Sequence, residues 1–330
     1  MGLGMEYAAR ERLSGRKDNG VAKLITIFGG SGFVGRYVVQ ALAKTGARLR
    51  VATRDPHLAL HVRPLAALGQ LDFVRTDFRS EASLARAVEG ADAVINLVGI
   101  LSDSQGGFEA VHVNAAGAIA RAAAAAGAGA LVHVSALGAD AESESGYGRS
   151  KALGEAAVRA AYPKATILRP SVIFGPEDQF LNRFAGLLRL PVVPVVAPKT
   201  KFQPVYVVDV ARAIAAAACE PQLHAAKTVS LGGPDVLTMR GLLEWLAETT
   251  GRSPMLVDMP DAAASLMARL TGWLPGAPLT TDQWKMLQSD NVVPEGAPGL
   301  AALGLAATPM AAVAPGWLVR FRPHGRFSPA

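Results

Sequence analysis

The chain has 330 residues, of which 50% are hydrophobic and 18% charged, so it can bury a large core and is not expected to be disordered. Its formal net charge of +6 comes from scattered basic residues without interleaved aromatic side chains, which argues against nucleic-acid binding. The single cysteine, Cys219, excludes an intramolecular disulfide, and the six histidines show no metal-ligand motif, so no metal is predicted.

The first 22 residues mix basic and acidic side chains and lack the apolar block of a secretory signal. We expect residues 1–22 to form a flexible N-terminal segment. No run of about 18 uncharged apolar residues indicates a membrane span. The basic surface is compatible with anionic lipid headgroups or with an acidic protein partner.

A strand-like run, Leu24–Phe28, leads directly into a glycine-rich turn and then into a helical run. Gly29 is expected to turn the chain, Gly32 to let a phosphate approach the backbone and Gly35 to let the helix pack on the sheet. The helix N-terminus offers N–H groups and a positive dipole end to an anion. We therefore predict dinucleotide binding here, against the alternative of a plain strand–helix turn, by Gly29, Ser31, Gly32, Phe33, Val34 and Gly35.

The end of the next strand, Arg48–Thr53, decides which dinucleotide is preferred. An acidic residue there binds the ribose 2′-OH of NAD, whereas an arginine accommodates the 2′-phosphate of NADP. Arg54 follows the strand directly, which favours NADP(H). Asp55 is a rival ribose ligand, but Asp55-Pro56 also has the pattern of a helix N-cap followed by proline.

Strand-like and helical runs alternate through the first half of the chain, which is typical of a doubly wound parallel sheet in an α/β protein. The predicted strands are Leu24–Phe28, Arg48–Thr53, Leu71–Arg75, Ala93–Val98, Ala130–Ser135 and Thr166–Arg169, and helices are expected to begin near Phe33, Pro56, Glu81, Phe108 and Tyr147. Strand ends in this fold approach the cofactor. We therefore predict further cofactor contacts from Asp77 and Phe78 at the adenine, Val98 and Gly99 at the nicotinamide ribose, and Pro170. For Asp77, a solvated loop acid is the alternative.

Beyond Pro170 the pattern is interrupted by prolines. We predict a dinucleotide-binding domain over residues 23–175, its sheet completed by parts of residues 200–232, and a smaller C-terminal α/β lobe for substrate or docking over most of residues 176–330. Asp209 and Thr238 are expected to cap helices. A helix over residues 262–274 carries an apolar face that is expected to be packed, formed by Leu266, Met267, Leu270 and Trp273.

Tyr147 and Lys151 lie four residues apart, on one face of a predicted helix. A lysine ammonium close to the phenol would favour its ionised form, which suits an acid or base near neutral pH. Ser135, at a strand end, is placed to hold a substrate carbonyl. These three are the candidate catalytic residues, and Asn114 is a candidate support. Their order behind the glycine motif resembles the short-chain dehydrogenase/reductases, in which the lysine also reaches the nicotinamide ribose.

Several longer segments resemble a narrower family, the nucleotide-binding accessory subunit of respiratory complex I of mitochondria and α-proteobacteria. They are Ile27–Val39, Val94–Ile100, His133–Ala139, Arg169–Phe184, Pro278–Gln283 and Gln288–Val293. The resemblance implies an NADPH held for structure rather than for electron transfer, so that Ser135, Tyr147 and Lys151 would be vestigial as catalysts. It also implies docking on other subunits of the peripheral arm, near the membrane surface. The implied location is the cytoplasmic face of a bacterial inner membrane, or the matrix side in mitochondria.

The intact set of Ser135, Tyr147 and Lys151 keeps a second interpretation open. A freestanding NADP(H)-dependent extended short-chain reductase or nucleotide-sugar epimerase would use Tyr147 as its acid or base. A regulatory sensor of NADP(H) is a third possibility. The sequence does not separate these uses, because the same residues can hold the cofactor alone.

Overall fold

A seven-stranded parallel sheet forms the centre of the chain in the computed structural model, which describes residues 20–103, 107–272 and 279–325. The strands of this sheet are β1 (Leu24–Phe28), β2 (Arg48–Thr53), β3 (Leu71–Arg75), β4 (Ala93–Asn96), β5 (Ala130–Val134), β6 (Thr166–Pro170) and, much later in the chain, β11 (Thr228–Leu231). Short two-stranded sheets are formed by β7 (Ile173–Phe174) with β10 (Val205–Tyr206), β8 (Val192–Val195) with β13 (Met255–Asp258), and β9 (Lys201–Phe202) with β12 (Leu237–Thr238).

The helices alternate with the strands in the first half of the chain and dominate its end. They are α1 (Phe33–Ala43), α2 (Glu81–Val88), α3 (Ala116–Ala125), α4 (Gly146–Ala161), α5 (Leu181–Leu187), α6 (Val207–Cys219), α7 (Pro221–His224), α8 (Met239–Thr250), α9 (Asp261–Thr271), α10 (Thr281–Met286), α11 (Met310–Val313) and α12 (Pro315–Leu318). A π-helical segment, Glu109–Ala115, leads directly into α3, and short 3₁₀ turns cover Leu60–Leu65, Leu300–Leu303 and Val319–Phe321.

The strand order is β11-β6-β5-β4-β1-β2-β3, so the predicted doubly wound sheet is confirmed. The order reverses between β1 and β4, where Ile27 lies beside Ile95. Chain connections leave the sheet in opposite directions at this point, and a crevice opens at the carboxyl ends of the two strands. The glycine turn after β1 and the residues after β4 line this crevice.

Helices cover both faces of the sheet because its strands are apolar on both sides. Helices α1 and α6 pack on one face, against side chains such as Ile25 and Ile27. Helices α2, α3 and α4 pack on the other, around Phe28. A third apolar cluster, which includes Phe174 and Leu246, forms the core of the C-terminal part. The doubly covered sheet fixes the strand ends on which the site is built.

The three predicted helix caps have different outcomes. The Asp55 carboxylate does accept from the backbone N–H of His57 at 2.9 Å, as an N-cap does. The α-helix expected from Pro56 is wrong: turns lead into the 3₁₀ segment Leu60–Leu65, which contains Pro64, a residue that cannot donate a helical hydrogen bond. Asp209 lies inside the first turn of α6, and its carboxylate accepts from the backbone N–H and hydroxyl of Thr308. Thr238 does cap α8, as predicted.

Helix α9 departs from the expected packing. Ala264 and Ala268 are its buried side chains, whereas Leu266 and Leu270 are 56% and 63% exposed. The packed apolar face is therefore wrong for these two leucines, and Trp273 lies outside the described residues.

Cys219 is buried at the end of α6. In the described ranges, every helix is too short or too polar to cross a membrane.

Candidate functional site

The glycine turn after β1 has a shape that side chains would obstruct. Gly29 has a φ of +79°, which favours glycine. A Cβ atom on Gly35 would lie 2.3 Å from the Gly29 carbonyl oxygen, and one on Gly30 would lie 2.9 Å from Val51 Cγ2. A Cβ on Gly32 would meet the Gly29 oxygen only at 3.4 Å, so the fold itself does not demand glycine there. Its predicted contact with phosphate is a separate reason for glycine.

Helix α1 begins directly behind this turn, at Phe33. In the described part of the chain no side chain caps its N-terminus, so the N–H groups around Phe33 and Val34 remain open toward the crevice. Open N–H groups and a positive dipole end form an anion-binding site where a turn brings the ligand close. Ser31 lies in the same turn.

Strand β2 is followed by an exposed arginine and by an aspartate that already accepts a hydrogen bond. Arg54 is exposed, whereas the Asp55 carboxylate accepts from the His57 backbone at 2.9 Å. The imidazole of His61 lies nearby, with Nδ1 2.9 Å from the Leu58 carbonyl oxygen and Nε2 3.1 Å from the Ser31 carbonyl oxygen. The 3₁₀ segment after β2 is thereby tied to the glycine turn, a contact that the sequence pattern did not indicate.

At the end of β3, the two predicted adenine contacts differ in their surroundings. The Arg79 side chain binds the Asp77 carboxylate at 3.2 Å and lowers its pKa. This arrangement also agrees with the alternative of a solvated loop acid. The Phe78 ring lies 6.1 Å from the Phe28 ring, centroid to centroid, at the edge of the core. Their contact with adenine stays a prediction.

Lys151 lies almost fully buried beneath the loop that follows β4. It is 5% exposed, and its ammonium donates to the Val134 carbonyl at 3.3 Å. A Cβ placed on Gly99 would be 3.3 Å from the Lys151 nitrogen, so the two predicted ribose contacts do meet. Burial lowers the pKa of Lys151 to about 8, partly opposed by Glu155.

Tyr147 lies one turn before Lys151, with the ammonium 5.9 Å from the centre of its ring. The rings of Phe108 and His112 contact it edge-on, at centroid distances of 5.9 and 5.5 Å. Burial raises the pKa of Tyr147 to about 12. Burial thus shifts the pKa of Tyr147 away from neutrality, opposite to the effect expected from a nearby lysine, and the role of Tyr147 as acid or base stays a prediction.

Ser135 and His133, at the end of β5, carry polar atoms without a partner. The Asn96 amide nitrogen donates to His133 Nδ1 at 3.1 Å, which leaves His133 Nε2 as the protonated nitrogen. Within the described residues, this Nε2 and the Ser135 hydroxyl are buried and find no hydrogen-bond partner. Leaving a polar group unsatisfied in this way costs about 1–3 kcal/mol. Such orphaned groups indicate a place for a polar ligand.

His112 organises the other side of the site, although the sequence reasoning assigned it no role. Its Nδ1 lies 2.8 Å from the Ser150 hydroxyl and its Nε2 accepts from the Ile100 backbone at 3.0 Å. Helix α4 approaches so closely that a Cβ on Gly154 would be 2.1 Å from the His112 carbonyl oxygen. Asn114, the predicted support, is exposed instead. The apolar neighbours of His112 in the sequence were the available signal for its burial.

A comparison with known protein families shows to which family the chain belongs. Residues 25–232, well over half of the chain, match the model of the NAD dependent epimerase/dehydratase family. The chain belongs to this family.

Two groups of relatives extend the match. The NADH dehydrogenase (ubiquinone) 1 alpha subcomplex subunit 9 of mouse is 39% identical over 290 residues, covering 86% of this chain and 77% of that protein. Its Arabidopsis thaliana counterpart is 34% identical, with coverages of 80% and 67%. A ceramide reductase of Caulobacter vibrioides is 35% identical over 241 residues, covering 72% of this chain and 74% of that protein.

Solved structures share the fold. An NADPH-dependent quinone oxidoreductase from Escherichia coli, in complex with NADPH, has a TM-score of 0.71 at 22% identity and covers 87% of this chain and 97% of its own. UDP-glucose 4-epimerase from Thermotoga maritima has a TM-score of 0.58 at 19% identity, with coverages of 73% and 87%. At these identities the likeness concerns the fold alone.

The NAD(P) cofactor implied by this family fits the residues present. A glycine-rich turn meets an open helix N-terminus, and the Lys151 ammonium and the Ser135 hydroxyl, which has no partner among the described residues, lie at the neighbouring strand ends. Within the described ranges, no three His, Cys, Asp or Glu side chains come together as a metal site. A groove between α2 and α3 contains none of the predicted site residues.

Proposed function

We propose that this chain is an accessory subunit of NADH:ubiquinone oxidoreductase, complex I, and that it holds NADP(H) as a structural group. The alignment with the mouse subunit carries the proposal. It spans 290 residues, whereas the family match ends at residue 232. The likeness to the mouse subunit therefore extends beyond residue 232, where the family match ends. We assign docking to this later part of the chain.

The preference for NADPH rests on the end of β2. Arg54 is exposed there, and the only nearby acid of the pattern, Asp55, already accepts from the His57 backbone. An arginine fork binds a phosphate with two parallel charge-assisted hydrogen bonds. Binding by Gly29 to Gly35 at the pyrophosphate and by Lys151 at the nicotinamide ribose completes the proposed site.

Replacement of Arg54 by glutamate is expected to weaken NADPH binding by about 100-fold, because a charge-assisted contact is lost and a repulsive charge is introduced. NADH affinity should change by less than about threefold, since NADH lacks the 2′-phosphate. Titration of the purified chain with each nucleotide measures both constants. Arg48→Glu, an exposed position at the other end of the same strand, is the control. Equal NADPH binding by wild type and Arg54→Glu contradicts the NADP assignment.

The structural role of the cofactor rests on the likeness to the mouse complex I subunit. The ring of Tyr147 is packed by Phe108 and His112, and its pKa of about 12 keeps the phenol protonated at neutral pH in a holder of cofactor and in a reductase alike. We place the subunit in the peripheral arm, on the cytoplasmic face of a bacterial inner membrane or the matrix side in mitochondria, in contact with other complex I subunits. The formal net charge of +6 suits a position near anionic lipid.

A reductase is the second candidate, and it is favoured by a specific observation. The relative from Caulobacter vibrioides carries the name ceramide reductase at 35% identity, and the chain retains Ser135, Tyr147 and Lys151. In that case Ser135 would hold the carbonyl oxygen of a lipid substrate, Tyr147 would donate the proton to that oxygen, and NADPH would supply the hydride to the carbonyl carbon and exchange in each cycle.

Native-gel migration of the tagged chain, from gently solubilised membranes of its own host, distinguishes the two functions. We expect the chain to migrate with the high-mass band that stains for NADH dehydrogenase activity. Tyr147→Phe should assemble in the same band with unchanged NADH:ubiquinone oxidoreductase activity, because the phenol takes no part in docking. A free low-mass species, together with NADPH oxidation by a ketone lipid that Tyr147→Phe abolishes, would establish the reductase.

A further inference from the structure

The carboxylate of Asp282 binds the N-terminus of a helix other than its own. Asp282 lies in the first turn of α10, yet its Oδ1 accepts from the Gly146 backbone at 2.6 Å. Its Oδ2 accepts from the Ser145 hydroxyl at 3.0 Å and from the Tyr147 backbone at 3.3 Å. These partners form the start of α4, more than 130 residues earlier in the chain.

The segment that carries Asp282 is anchored along its whole length. We call residues 280–293 the strap. At its start Thr280 and Gln283 form a reciprocal capping box for α10. At its end the Asp290 carboxylate accepts from the Lys201 backbone at 2.8 Å, and the Asn291 side chain accepts from the Ser171 hydroxyl at 2.6 Å. The carboxylate is therefore held by a fixed element.

Helix α4 is the element that brings Tyr147 and Lys151 to the proposed cofactor. Its N-terminus has a positive dipole end, which a carboxylate stabilises. Lys151 lies one turn further along, buried against the Val134 carbonyl. A shift of the first turn of α4 would move both side chains relative to Gly99 and the glycine turn.

We propose that Asp282 is a positioning residue for NADP(H): by fixing the first turn of α4 from the strap, it holds Lys151 against the nicotinamide ribose and slows release of the cofactor. By linkage, bound cofactor holds the strap in place in return. The inference rests on the proposed function only for the identity of the cofactor, and it does not require that the chain assembles into complex I.

The test is the rate at which bound NADPH leaves the full chain, followed by its fluorescence after addition of excess NADP⁺. Asp282→Ala is expected to release NADPH at least about tenfold faster than wild type. Asp282→Asn should lie between the two, because one amide oxygen can still accept while the charge is lost. Amide hydrogen exchange at Gly146 and Tyr147 should accelerate in both variants.

Asp72→Ala is the control, since it removes an exposed carboxylate that also accepts from a backbone N–H, that of Phe73 at 2.8 Å, but lies in β3, outside the strap and α4. Its release rate should stay within twofold of wild type. Equal release by Asp282→Ala and wild type, or an equally large effect of Asp72→Ala, overturns the inference. If Asp282→Ala does not fold, Asp282→Asn gives the same comparison.

Failure of the inference and failure of the proposed function give different results. A chain that migrates with complex I but is insensitive to Asp282→Asn overturns only the positioning role. A chain that stays free of complex I, with faster release in the Asp282 variants, overturns only the subunit assignment. A wild-type chain that binds neither NADPH nor NADH overturns both.

Discussion

Replacement of Gly35 by alanine is expected to destabilise the chain by about 3 kcal/mol and to reduce NADPH binding below detection. The added Cβ would lie 2.3 Å from the Gly29 oxygen and 2.5 Å from the Gly30 carbonyl carbon. Both are backbone atoms of the turn after β1, so either this turn or the start of α1 must move. Either movement disrupts the proposed pyrophosphate site.

Two other glycines provide a graded comparison. Gly30→Ala meets the Val51 side chain at 2.9 Å, and because a side chain can shift, we expect a smaller loss of about 1 kcal/mol. Gly186→Ala, in α5, meets nothing within 4 Å and should leave stability unchanged or slightly raised. Urea denaturation ranks the stabilities of the three variants, and NADPH titration ranks their affinities for the nucleotide. A Gly35→Ala protein as stable as Gly186→Ala would contradict the turn geometry described above.

Acid is expected to destabilise the chain well before its carboxylates are protonated. Burial, with a smaller contribution from Lys151, lowers the pKa of His133 to about 3 and that of His112 to about 4. In the unfolded chain both return to 6.5. Below pH 6.5 the unfolded state therefore binds protons that the folded state does not, and stability falls as the pH falls from 6.5 toward 4. At pH 5 each histidine should account for about 2 kcal/mol of lost stability.

The difference in unfolding free energy between pH 7 and pH 5 measures this effect. His133→Asn removes one titrating group, so its pH-dependent loss should be smaller by about 2 kcal/mol, whatever its absolute stability. His57→Asn, at an exposed position, serves as the control and should match wild type. If His133→Asn shows the full wild-type difference between the two pH values, His133 does not stay neutral in the folded protein.

Some features of the site suit retention of a cofactor, and others suit catalysis. Ser135, Tyr147 and Lys151 all lie at the crevice, yet Tyr147 is packed by two rings and remains protonated near neutral pH. Lys151, with a pKa of about 8, stays charged at neutral pH and suits a contact with a ribose or phosphate oxygen. Both charge states suit the retention of a nucleotide, and a protonated phenol also suits proton donation to a carbonyl.

Local patterns predicted the first half of the fold closely. Strands β1, β2 and β3 begin and end at the predicted residues, because each is an apolar run bounded by a turn. The prediction of a helix from Pro56 was wrong because a capping pattern marks where a helix can begin but does not ensure that the following residues form one. Asp209 failed as a cap because Thr308, 99 residues away, binds its carboxylate.

The sequence by itself determined the parallel sheet and the glycine turn and predicted the dinucleotide site, since these depend on residue spacing within one strand–turn–helix unit. The tertiary structure alone decided the neighbours of Tyr147, the contact of Asp282 with α4, and the atoms of Ser135 and His133 that lack a partner in the part of the chain the structure describes. Each of these brings together residues distant in sequence, and each depends on burial, which sets both the pKa of a group and its need for a partner. Spacing along a chain fixes local geometry, but desolvation is a property of the packed molecule.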